Sequence, residues 1–125
     1  MCVIRSEKGF IFGGFTSVPW SSRNRNIWDA SAFLFTLKNP HRIKPTKYPL
    51  RDRAKFAVSH NENEGPTFGS VQHGGVDLLL HSPFTSYDNR TFFPQSYQDT
   101  TEMGRYTFTG EAYFACADIE VFTLI

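Results

Sequence analysis

The stretch that most restricts the fold is Phe10-Ile11-Phe12-Gly13-Gly14-Phe15-Thr16. It is apolar at odd and even positions alike, so as a strand it needs cover on both faces. The two glycines inside it weaken strand propensity. They mark a bulge, or a place where another backbone or ring packs close. Trp20 or Trp28 supplies a ring of suitable size for that gap. The pair lacks the Lys-Ser/Thr and the following helix of a phosphate-binding loop, so Phe10–Thr16 reads as scaffold and not as a site.

The remaining composition fits a β-rich chain. The 125 residues suit one domain with one core. Aromatics make up 16% of them and 13 are Phe, a residue that favours strands and fills the space between sheets. No window keeps an i, i+3, i+4, i+7 apolar pattern for long, so the expected class is all-β or nearly so.

In chain order, Cys2–Arg5 reads as a strand, and Ser6-Glu7-Lys8-Gly9 as a tight turn closed by a glycine at positive φ. Val18–Ser31 reads as a loop, with its tryptophans folded back to cap the core. Ala32–Leu37 is again apolar on both parities and ends at Pro40. Residues 42–54 read as a short edge strand at best. Phe56 and Val58 point inward, 61–66 form a turn, and Thr67-Phe68 is a short strand stopped by Gly69. Val76–His81 alternates. The long segment 82–101 is either packed by its own aromatics or functional. Tyr113–Ile125 is the longest strand candidate. A bulge near Ala117-Asp118 is needed to bring Phe114, Cys116, Ile119 and Val121 onto one face.

Charge is unevenly spread. Residues 1–55 hold eleven Lys and Arg against three acids, and residues 56–125 hold two against nine. Either the halves interleave and neutralise each other, or a basic patch meets an anionic partner. The strongest basic stretch runs from Lys38 to Lys55. Lys44, Lys47, Arg51 and Arg53 are its partner-binding candidates, and Lys on an edge strand also protects against aggregation. Tyr48 is its one aromatic, which argues against base stacking and specific nucleic-acid binding.

Catalytic signals are sparse. Asp77, His73 and Glu120 are weak acid/base candidates, and Ser70 is not in a nucleophile elbow. The four histidines lack ligand spacing, so no metal or other cofactor is expected. Cys2 and Cys116 either bridge, if the first and last strands are neighbours, or stay reduced. No apolar h-region follows Met1 and no run is long enough to span a membrane, which suggests a cytoplasmic protein.

The order of elements resembles the TLDc domain. The matching residues are Val3-Ile4, Gly9–Phe15 with Gly13 and Gly14, Trp20, and Ala32–Leu37 with Phe33 and Phe35. They continue through Gly65-Pro66-Thr67-Phe68-Gly69, Asp77-Leu78, Ser96-Tyr97 and Ile119–Phe122. The resemblance implies an antiparallel β-sandwich with few short helices, over residues 1–125 as a single domain. It implies a non-enzymatic protein-interaction module, linked to oxidative-stress resistance and to regulation of the vacuolar proton pump, whose subunits become expected partners. Other domains of a longer parent protein are compatible with it. The chain starts after the helical segment usual upstream in such domains. Where many relatives read Gly-Gly-x-His-Asp, it has Gly69-Ser70-Val71-Gln72-His73-Gly74-Gly75-Val76-Asp77, so only Asp77 carries over. A ligand-binding or hydrolytic sandwich, and an adaptor for acidic partners, are the alternatives.

Overall fold

The computed structural model describes residues 1–18, 25–52, 54, 56–60, 65–70 and 75–122. Their strands are β1 (Cys2–Ser6), β2 (Ile11–Phe15), β3 (Arg25–Ile27), β4 (Phe33–Lys38), β5 (Thr46–Pro49) and β6 (Val58–His60). They continue as β7 (Thr67–Ser70), β8 (Gly75–Leu79), β9 (Asn89–Arg90), β10 (Tyr113–Phe114) and β11 (Cys116–Val121). Two antiparallel sheets result, ordered β11-β1-β2-β4-β5 and β10-β9-β8-β7-β6-β3. The helical content among the described residues is one 3-10 turn, Gly104–Tyr106. The fold is the expected β-dominated sandwich.

The stretch that opened the sequence analysis is the middle strand of the five-stranded sheet. Its inner face carries Phe12 and Gly14. The Phe12 ring stacks on Phe108 at 5.2 Å and meets Phe114 edge-on at 5.4 Å. Phe93, Tyr48 and Phe108 continue this cluster with centroids 4.9–5.9 Å apart. Edge-to-face and offset packing of this kind adds to what burial alone supplies. A Cβ at Gly14 would lie 2.6 and 2.7 Å from the Cε atoms of Phe68, on the facing sheet. Glycine is therefore required there for the two sheets to approach.

The gap above Gly14 does receive a ring, that of Phe68. Trp28 is 61% exposed, which corrects the expectation that it caps the core; Trp20 lies outside the described residues. The region expected to be only loop also contains β3, which pairs with β6. The loop is tied by Asp29 instead. Its carboxylate accepts hydrogen bonds from Thr16 Oγ1, from Ser17 N–H and Oγ, and from Ser31 N–H and Oγ, at 2.7–3.1 Å. Five local donors thus hold Asp29 between Thr16-Ser17 and Ser31.

The closing segment divides where the chain changes sheets. β10 pairs with β9, Ala115 crosses over, and β11 pairs with β1. Arg5 faces Asp118 and Ser6 faces Cys116, so Ala117 is the extra residue of the anticipated bulge. Phe114 and Cys116 are buried and Ile119 packs on the core, whereas Val121 remains 56% exposed at the sheet edge. The first and last strands are indeed neighbours. Yet Cys2 faces Val121 while Cys116 faces Ser6, four positions along β1 and roughly 13 Å at the strand rise. A disulfide needs Cα atoms within about 7 Å, so both thiols are free and buried.

Segment 82–101 is part of the core. Phe93 and Tyr97 are fully buried, Tyr97 Oη donates to the Ala57 carbonyl at 2.7 Å, and Asn89–Arg90 adds a two-residue strand. β7 also runs past Gly69, which has φ +88°, so the glycine does not stop the strand but kinks it.

Candidate interaction face

The outer face of the five-stranded sheet follows from its register. One cross-strand row reads Glu120, Val3, Gly13, Phe35, Lys47. The next row on that face brings Phe15 and Phe33 together, with rings stacked at 5.2 Å. The apolar positions on the second parity of β2 and β4 thus form an aromatic stripe outside the sandwich. Above Gly13 the middle of the row is taken by the buried Phe35 ring. A Cβ there would meet the Cys2 carbonyl oxygen and come within 3.0 Å of the Phe35 ring.

This face holds an open groove of about 360 Å³ lined by Met1, Val3, Phe33, Phe35, Leu37, Pro45 and Lys47. Lys47 Nζ stands 4.5 Å above the centre of the Phe33 ring, a cation–π contact. Leu37 is the extra residue where β2 and β4 shift register, and it is 49% exposed. Lys44 and Lys38 are exposed beside Pro45 and Leu37. Of the basic candidates, Lys47 lines the groove and Lys44 is the exposed neighbour of its wall residue Pro45. Arg51 does not line it; its N–H pairs with the Ser96 carbonyl beyond β5. Arg53 lies outside the described residues.

The acid/base candidates are not gathered in this way. Asp77 is the extra residue of a third register shift, where Phe68 faces Leu78 and Gly69 faces Val76. It is fully buried, and its carboxylate accepts the N–H groups of Gln95, Ser96 and Tyr97 at 2.8–3.1 Å. A Cβ at Gly69 would press on this carboxylate at 2.5 Å, which accounts for the glycine. Burial pushes the Asp77 carboxyl up to about 6, against the downward pull of the three N–H groups. Glu120 belongs to the other sheet, on the outer face of edge strand β11. The structure thus does not bring Asp77 and Glu120 together, and His73 lies outside the described residues. Among the described residues, no three of His, Cys, Asp and Glu cluster as metal ligands would.

The family model of the TLDc domain matches residues 1–125. The chain belongs to the TLDc domain family. No curated protein matches its sequence. In this TLDc domain the motif residues Gly13, Gly14, Gly65, Pro66 and Gly69 sit where the backbone packs closely. Gly65 N–H pairs with the Leu80 carbonyl at 2.8 Å, and Leu80 N–H returns to the Pro66 carbonyl at 3.2 Å. Gly13 and Gly14 look out of opposite faces of β2, and Gly69 makes room for Asp77. No helix among the described residues is long and apolar enough to cross a membrane.

Sequence reasoning placed Phe33 and Phe35 in a strand covered on both faces. It missed Val3, Leu37 and Pro45 as walls of an open groove. The signal was present in the double parity of 33–37, but only the sheet order shows which parity lacks cover.

Proposed function

We propose that this TLDc domain is a non-enzymatic, cytoplasmic protein-interaction module that docks its partner on the outer face of the five-stranded sheet. The carrying observation is the contrast between that open apolar groove and the ionisable candidates. Asp77 is spent on backbone N–H groups inside the protein, and Glu120 stands on a different sheet. Catalytic groups must reach one substrate within hydrogen-bond distance, whereas a docking site needs exposed apolar surface with a polar rim. The family resemblance supports subunits of the vacuolar proton pump as the partner and oxidative-stress resistance as the setting. The test is binding of the purified chain to the pump's peripheral sector. Leu37→Asp is expected to weaken it at least tenfold, and Tyr87→Ser, at an exposed loop position, to leave it unchanged. Equal binding by all three proteins refutes this reading.

A further inference from the structure

The groove's surroundings define what fits it. β5 is the edge strand beside it, but Pro45 and Pro49 flank the row that would receive an added strand. Proline has no N–H to offer, so an incoming segment gains little by extending the sheet and must lie across its face. The groove's volume is more than twice the about 150 Å³ that holds one benzene ring, room for two large apolar side chains. Two anchors of that size on one side of a segment are what an amphipathic helix presents at i and i+3 or i+4.

Charge selects the segment further. From residue 38 to residue 50 the chain holds Lys38, Arg42, Lys44 and Lys47 and no Asp or Glu. Lys47 lines the β4–β5 side of the groove, and the exposed Lys38 and Lys44 directly follow and precede its wall residues Leu37 and Pro45 in the chain. The acids of this face, Asp118 and Glu120, stand on β11 at the far edge, where Arg5 faces Asp118. One wall of the groove is therefore positive, and the negative charge lies beyond β1. From this the geometry points to one occupant: an acidic amphipathic segment of a protein partner, with apolar anchors in the groove and carboxylates along the Lys44–Lys47 wall. This rests on the docking face proposed above and adds the class of ligand that it takes.

Two short helical peptides with the same leucine stripe, one flanked by Glu and one by Lys, separate the class from the face. Fluorescence anisotropy should show the Glu peptide binding wild-type chain at least tenfold more tightly, with an advantage that shrinks as salt rises. Lys44→Glu with Lys47→Glu should reverse the preference. Leu37→Asp should lose both peptides while its thermal melt stays near wild type. A spin label on the Glu peptide should broaden the amide signals of Leu37 and Lys47 in the unaltered protein. Equal affinity for the two peptides, or a preference that survives charge reversal, overturns the acidic class and leaves the face standing. Undiminished binding by Leu37→Asp, or broadening confined to the other sheet, overturns the face as well. A wild-type dimer in sedimentation that Leu37→Asp converts to monomer overturns the proposal in favour of a second copy of the chain.

Discussion

β2 has two faces that began as one sequence pattern and ended with opposite uses. Inward, Phe12 joins a cluster of aromatic rings, and the space above Gly14 is filled by Phe68 from the facing sheet. Outward, the half-exposed rings of Phe15 and Phe33 stand beside a groove floored by the buried Phe35, with Lys47 over the Phe33 ring. The same residue types therefore supply cohesion on one side and an unfilled groove on the other. Side chains on the inner face should control stability. The exposed ones on the outer face, such as Leu37, should control binding with little effect on stability.

The largest expected effect is on the inner side. Phe68→Ala removes the ring that fills the Gly14 gap and should cost about 3–5 kcal/mol in chemical denaturation. A loss below ~1 kcal/mol would mean the two sheets are not locked through this contact. Gly14→Ala comes next, at about 1–3 kcal/mol from overpacking against the same ring. Combining it with Phe68→Leu should recover part of that loss, because the shorter side chain vacates the position of the ring. Strict additivity in that double mutant would break the proposed contact between Gly14 and Phe68.

The two buried aspartates refine the picture, because both tie loops to the sandwich and they titrate in opposite directions. Asp77 has its carboxyl raised by burial to about 6, so between about pH 4 and pH 6 the folded state holds a proton that the unfolded state has lost. Stability from this group is full below about pH 4 and falls as pH rises toward 6. At Asp29 burial opposes the charge, but the hydrogen bonds from Ser31, Thr16 and Ser17 outweigh it and hold the carboxyl down to about 2. Its contribution is present above about pH 4 and is lost as pH falls toward 2. Melting temperature against pH should therefore lose a decline between about pH 4 and pH 6 in Asp77→Asn, and part of the decline from about pH 4 down to pH 2 in Asp29→Asn. Unchanged profiles in both variants would remove the two carboxylates from the account.

Much of this fold is legible in the sequence because strand parity and turn chemistry are local. Gly9 closes the first hairpin at φ +91°, and the slip between Cys116 and Ile119 requires the bulge that Ala117 supplies. What depends on partners distant in the chain is not legible. Nothing near Gly14 identifies Phe68 as its ring, since the two meet only across the sandwich. Trp28 reads as a core cap by composition, but the Asp29 hydrogen bonds already hold the loop and leave the ring outside. Asp77 reads as an acid/base candidate because sequence cannot show that backbone N–H groups eighteen to twenty residues away surround it. The candidate site was legible only in part. The basic stretch identifies Lys44 and Lys47, while the apolar groove beside them needs the order β1-β2-β4-β5 to exist.

The smallest expected effect on stability belongs to the outer face. Leu37→Asp should change it by no more than about 0.5 kcal/mol, as for an exposed position away from the core. A loss of several kcal/mol would show that the groove wall is structural.

The central claim is that the partner docks on the outer face of the five-stranded sheet, and its most direct measurement is a map of amide shifts in the labelled chain as partner is added. The account predicts that the largest changes gather at Val3, Phe33, Phe35, Leu37 and Lys47. Changes gathered instead on the six-stranded sheet, around Tyr113 and Arg90, with this row unmoved, would contradict it.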